Sequence, residues 1–329
     1  MSASAILTVR DLRASYVSPR GPAIEAVAGV DLTVERGEIV GVVGESGCGK
    51  STLAAAITGV HARRTGSIVF DGQEVHPLGF RKRSEHERRL QMIFQNPYAT
   101  FNPRRRVGKQ IADAIKLSGG SDAKQSVAQL LDRVGLPKDA GGRYPHEFSG
   151  GQLQRLAIAR ALSAKPALIV ADEPIAALDA SAQLQIAALL AELVREERVS
   201  VLFISHDLSV VSEITDTIAV MYLGKIVERG PTKAIWRTPA HPYTKALIDA
   251  IPLADAERHM PVALAGEVPN PAEPPSGCRF HPRCPRAFER CTGDEPVALV
   301  TGPARTAACW LHAASDPVHS NVAVGAPDE

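Results

Sequence analysis

The apolar positions of this chain change rhythm along its length, and each rhythm predicts an element. Short β-branched runs, ILTV from Ile6 and AVAGVDLTV from Ala26, predict an antiparallel sheet layer between Ala5 and Glu35, interrupted by a loop about Pro19 and Gly21. EIVGVV, from Glu38, is apolar on both sides of the pleat, as a strand covered on both faces must be, and it runs through glycines into the helix-like LAAAITGV. GSIVFDGQEV, from Gly66, predicts a further strand pair. From about Arg81 to Leu162 charge rises and the period lengthens (QIADAIKL, KQSVAQLLDRVGL), which predicts a helical subdomain over 81–162 set between sheet strands. ALIVADEP and VSVLFISHD are strand-length apolar runs that end in acidic or imidazole groups. Together these rhythms predict an α/β fold whose parallel sheet carries functional side chains at its strand ends.

Past Gly230 the texture changes. Prolines crowd into the tail, most densely in VPNPAEPPSG, and periodicity fades after HPYTKALIDAI. A boundary is expected within 228–252, dividing a domain of residues 1–250 from a small tail domain of residues 251–329 that frays after His312. The chain carries no internal repeat and no heptad run.

The candidate chemistry sits on this scaffold in a fixed order. GESGCGKS, Gly44 to Ser51, matches the phosphate-loop pattern GxxxxGK[ST] in full and in the required strand-to-helix context. Gly44, Ser46, Gly47, Cys48, Gly49 and Thr52 are expected around an ATP, with Lys50 reaching the β- and γ-phosphates and the Ser51 hydroxyl on Mg²⁺. Cys48 reads as a small neutral filler. Asp172 ends an apolar strand and is the expected Mg²⁺ partner through water; Glu173, next to it, is the expected general base for an attacking water. Gln95, in IFQNP, is expected to position that water or ligate the metal. His206 lies at a predicted strand end, where a neutral imidazole can donate to the γ-phosphate. Ser149, Gly150 and Gly151 precede the helical run LQRLAIARAL, so their backbone N–H groups form a second anion site at a helix N-terminus.

Composition narrows the classes. Lys and Arg number 37 against 36 Asp and Glu, a net charge of +1, so nothing advertises a nucleic-acid surface. No apolar run approaches the roughly 18 residues that span a bilayer, and the N-terminus lacks a signal-peptide core. The chain is expected to be soluble and cytoplasmic, or held at a membrane by partners. Of five cysteines, Cys278, Cys284, Cys291 and Cys309 fall in the tail with spacing C-x5-C-x6-C-x17-C. Four thiolates can enclose one metal centre. The spacing lacks the paired C-x2-C of zinc ribbons and suits a 4Fe-4S cluster held from a loop, with Zn²⁺ or four free thiols as alternatives. The tail is expected to give the nucleotide site no residue.

Phosphate loop, Gln95, the signature FSGGQLQR, Asp172-Glu173, AALD from Ala176 to Asp179 and His206 in this order resemble the ATPase subunit of ABC transporters, over at least residues 5–250. The resemblance implies an ABC-type nucleotide-binding domain with a RecA-like core, an antiparallel β layer and a helical subdomain. It further implies Tyr16 stacked on adenine, Asp179 at a dimer seam, and Ser149–Gly151 closing on the ATP of a second ABC ATPase subunit. Phe148 stands where Leu is commoner. YPHEFSGGQLQR, HPYTKAL and CRFHPRCPRAFERC are similar, more narrowly, to the oligopeptide/dipeptide (and nickel) importer branch. That likeness implies a complex with a second cassette, two transmembrane permeases and an extracytoplasmic solute-binding protein, lying peripherally on the cytoplasmic face of the membrane. Phe148 with GGQ looks like the second cassette of a heteromeric pair. The likeness to peptide importers also points to the 4Fe-4S cluster. Nickel, glutathione or another solute is the alternative cargo. The alternative class is a soluble non-transport ABC ATPase, which needs a coiled-coil insertion or tandem cassettes.

Overall fold

The computed structural model describes residues 5–17, 23–79, 83–119, 123–176, 178–251 and 266–313. The expected loop about Pro19 and Gly21, Ala177 of AALD, the boundary at residue 251 onward and the chain end lie wholly or mostly outside the described residues.

Among the described residues twelve strands form two sheets. β1 (Ala5–Tyr16) and β2 (Ile24–Glu35) pair antiparallel and are joined by β4 (Arg64–Phe70) and β5 (Gln73–Glu74) in the order β2-β1-β4-β5, the expected outer layer. The larger sheet contains β3 (Ile39–Val43), β6 (Leu90–Ile93), β7 (Leu168–Asp172), β8 (Ser200–Ser205), β9 (Thr217–Tyr222), β10 (Lys225–Pro231), β11 (Leu299–Gly302) and β12 (Arg305–Ala307). Its order is β11-β12-β10-β9-β3-β8-β7-β6, with β9, β3, β8, β7 and β6 all parallel.

The period of two in these strands splits the core. Val40, Val42, Leu168, Val170, Leu202 and Ile204 face the antiparallel layer, together with Leu53 and Ile57 of α1 (Lys50–Ile57). Their neighbours Ile39, Val43, Ile169, Ala171, Val201 and Phe203 face the opposite side and its helices. Those helices follow a short α2 (Glu85–Arg88) and comprise α3 (Val107–Leu117), α4 (Ala123–Arg133), α5 (Gly150–Ser163), α6 (Ala180–Glu196) and α7 (Leu208–Ile214). Helices α3, α4 and α5 pack on one another as the helical subdomain. Its start at residue 81 needs correcting, because β6 lies inside the predicted range and belongs to the central sheet, pairing Leu90–Ile93 with Leu168–Ala171. Four residues between charged flanks carry too little pattern to declare a strand.

The tail is fastened to the same body. β12 pairs with β10, Glu228 opposite Ala307, so the tail's hairpin extends the central sheet rather than forming one of its own. After α8 (Thr232–Arg237), the neutral imidazole of His241, its pKa lowered to about 4 by burial, caps α9 (Pro242–Asp249) by accepting the Tyr243 N–H at 3.0 Å. Phe280 of the tail packs within 5.3 Å, ring centre to ring centre, of both Tyr222 and Tyr243 in the main core. Truncating Phe280 to Ala removes this shared ring and is expected to destabilise the chain by about 3–5 kcal/mol. Denaturant unfolding of the pure protein measures it, and a change below about 1 kcal/mol would mean that the tail is not anchored through this residue.

Candidate active site

Four parallel strands deliver their carboxyl ends to one place, where open α/β sheets bind ligands. β3 runs into the phosphate loop and β7 ends at Asp172. Directly after β8 comes His206, and Gln95 is two residues beyond β6. The loop turns tightly. Gly49 has φ +107°, and a Cβ there would lie 2.0 Å from the Ala26 carbonyl oxygen, so only glycine closes this turn onto α1. Lys50 is buried, and its ammonium donates to the carbonyls of Gly44 (2.8 Å) and Glu45 (3.1 Å) while lying 3.8 Å from the Glu173 carboxylate. Ser46, Gly47 and Ser51 face solvent at the loop mouth. Cys48 is buried, and burial pushes its thiol up.

The acidic pair is asymmetric. Asp172 accepts the Ser51 hydroxyl at 2.9 Å, and burial raises its carboxyl above the usual range even though that bond works the other way. Glu173 occupies the left-handed region (φ +46°), a conformation that costs a non-glycine residue on the order of 1–3 kcal/mol. Its N–H is tied to the Ile204 carbonyl at 2.9 Å, and the turn aims its carboxylate at His206 Nδ1, 2.7 Å away. Strain at this one residue thus places a carboxylate between an ammonium and an imidazole. Gln95 is exposed at the sheet's edge.

Around this centre the other candidates take their places. Tyr16 is 47% exposed, bonds through its hydroxyl to Thr52 Oγ1 at 3.2 Å and leans on the His61 ring, 4.8 Å between centres. His61 was not among the sequence candidates. Ser149 caps α5 with a reciprocal pair of bonds to Gln152 (3.0 and 3.3 Å), leaving the turn of Ser149, Gly150 and Gly151 at the solvent-facing start of a 14-residue helix. Phe148 is buried under the Arg143 guanidinium. Asp179 caps α6 and is exposed.

The tail does reach the nucleotide loop, contrary to expectation. Arg283 donates two bonds to the Glu45 carboxylate, at 2.7 and 3.0 Å, and the Glu45 N–H donates to the Tyr243 hydroxyl at 2.9 Å. Arg283 and Glu45 are 238 residues apart, so no local pattern announces the pair.

The four tail cysteines converge. Cys278, Cys284, Cys291 and Cys309, all free thiols, line one small cavity of about 10 Å³ together with His241 and Phe280. Gly277 (φ +61°) permits this, because a Cβ there would lie 2.5 Å from the Cys291 carbonyl oxygen, which accepts the Cys278 N–H. Burial raises Cys278 and Cys284 and pushes Cys309 up to about 11. Among the described residues no three His, Cys, Asp or Glu are grouped closely enough for a single metal ion.

Comparison with known proteins bears on both parts. A family profile described as ABC transporter matches residues 27–176, and one described as the oligopeptide/dipeptide transporter C-terminal region matches residues 227–291. The chain is 43% identical over 300 residues to the di/tripeptide transport ATP-binding protein DppF of Pseudomonas aeruginosa, covering 88% of this chain and 93% of that one. To the oligopeptide transport ATP-binding protein AppF of Bacillus subtilis it is 43% identical over 296 residues, 88% of this chain and 90% of the other. Among solved structures it resembles the ATP-binding cassette MJ0796, a dimer in a post-hydrolysis state bound to ADP and Pi, with TM-score 0.62, 25% identity, and coverage of 69% of this chain and 98% of that one.

Proposed function

From a chain that belongs to the ATP-binding subunits of oligopeptide and dipeptide ABC transporters, we infer an ATP-hydrolysing subunit that powers the import of di- and oligopeptides. The observation that carries the chemistry is Glu173 held between His206 Nδ1 at 2.7 Å and Lys50 Nζ at 3.8 Å. The phosphate loop, Gly44 to Thr52, binds the triphosphate through its backbone N–H groups and Lys50. Ser51 and Asp172 offer hard oxygen donors 2.9 Å apart, a set that fits Mg²⁺, which when bound neutralises charge on the β- and γ-phosphates. Glu173 accepts the proton of the attacking water. His206, donating through Nδ1, steadies that carboxylate. Gln95 positions the water, and Tyr16 stacks on adenine.

No helix among the described residues is long and apolar enough to cross a membrane. The partners are two permeases, an extracytoplasmic solute-binding protein and a second cassette whose ATP meets Ser149, Gly150 and Gly151, with Asp179 at the seam. Residues 1–250 act as the ATPase and 251–329 as its tail. The chain works at the cytoplasmic face of the membrane. ATP hydrolysis by the assembled complex in vesicles is expected to rise when peptide and binding protein are added. A complex stimulated by nickel or glutathione and indifferent to peptides would replace the cargo.

The thiol cavity is proposed to hold a 4Fe-4S cluster. Four thiols lining one cavity, at a spacing that lacks the paired C-x2-C of zinc ribbons, support it. Bound there, the cluster supplies folding free energy to a tail with little core of its own. Protein purified without air is expected to be brown with about four irons per chain, and a Cys→Ser change at any of the four positions to bleach it. Colourless protein with one zinc per chain would reject the cluster; no metal and four titratable thiols would reject the site.

A further inference from the structure

We propose that Arg283 is a positioning residue of the ATP site, holding the phosphate loop in register by gripping Glu45 from the cysteine-bearing tail. Every polar group of Glu45 is engaged. The carboxylate accepts both bonds of the Arg283 fork, the N–H donates to Tyr243, and the carbonyl accepts the Lys50 ammonium at 3.1 Å and the Cys48 N–H at 3.3 Å. Arg283 is therefore one residue removed from the ammonium that meets the phosphates. A paired fork of this kind fixes orientation as well as distance, and it is sheltered, with the Arg283 side chain only 4% exposed. Its N–H groups also reach the Tyr222 hydroxyl at 3.5 Å.

The side that delivers Arg283 is equally constrained. It ends the single turn His281–Arg283 between Cys278 and Cys284, with the His281 N–H on the Cys278 carbonyl (2.8 Å), the Arg283 N–H on the Phe280 carbonyl (3.0 Å) and the Phe280 ring buried. The loop is thus clamped at Glu45 by the tail and by α9. A shift of the cysteine turn is transmitted to Glu45 and from there to Lys50.

The inference rests on Lys50 binding ATP, and the test separates the two. Equilibrium titration of the purified full chain with Mg-ATP gives the Kd of the parent, Arg283→Gln, Glu45→Gln and the double variant. A parent that does not bind Mg-ATP overturns the nucleotide reading itself. If the parent binds, each single change is expected to weaken binding about tenfold, and the double change no more than either alone, because both remove one interaction. Arg283→Lys, which keeps the charge and loses the fork, is expected to fall between parent and Gln, and Tyr243→Phe to weaken binding while leaving the ring packed. A folded Arg283→Gln protein within about twofold of the parent, or a double variant with multiplied losses near a hundredfold, would overturn the proposal. Should Arg283→Gln fail to fold, parental affinity in both Arg283→Lys and Tyr243→Phe overturns it equally.

Discussion

Replacing Glu173 by Gln is expected to lower ATP turnover about 10²–10⁴-fold while Mg-ATP binding stays near the parent's. Gln matches Glu in shape, so the strained turn at φ +46° and the contact with His206 survive. The amide cannot take a proton from water. Lys50 loses a counter-charge at 3.8 Å, but its bonds to Gly44 and Glu45 remain, so the phosphate grip is kept. Phosphate-release kinetics alongside equilibrium binding separate the two effects. Equal turnover in variant and parent would mean that the base lies elsewhere.

Lys50→Ala acts on the opposite step. The change removes the ammonium that neutralises phosphate charge, and it leaves Glu173, a buried carboxylate, without its cation. A hydrogen bond to a charged group contributes about 1.5–3 kcal/mol, so Mg-ATP affinity is expected to fall at least about tenfold, toward 10²-fold, with turnover falling alongside. Parental affinity with reduced turnover would contradict the assignment of Lys50 to ground-state binding.

The nucleotide chemistry was legible because its signals are local. A phosphate loop needs its glycines and Lys50 within one turn, and Asp172 and His206 announce themselves by following apolar runs at strand ends. Assembly across the sheet was not local. That Glu173 meets His206 depends on β7 lying beside β8, Asp172 opposite Ile204. Four-residue β6 and the three-residue β12 are too short to show a period, which is why the helical range began too early and the tail's merger with the central sheet went unseen. The spacing of the tail cysteines marked them as one group, and they do share a cavity. Arg283 on Glu45 and Tyr243 on the Glu45 N–H had no sequence signal, since an arginine among prolines and a tyrosine in a helix are ordinary residues until the chain folds back 198 and 238 residues.

The proposed ATP site is completed by two chains, with Lys50 on one cassette and Ser149, Gly150 and Gly151 on the other. Sedimentation of the Glu173→Gln protein, alone and with its sister cassette, at saturating Mg-ATP tests that most directly, because blocked hydrolysis traps the closed pair. A shift from monomer to dimer that requires ATP, and that Ser149→Arg abolishes, is the predicted result. A protein that stays monomeric with nucleotide bound, whichever sister is present, would contradict it.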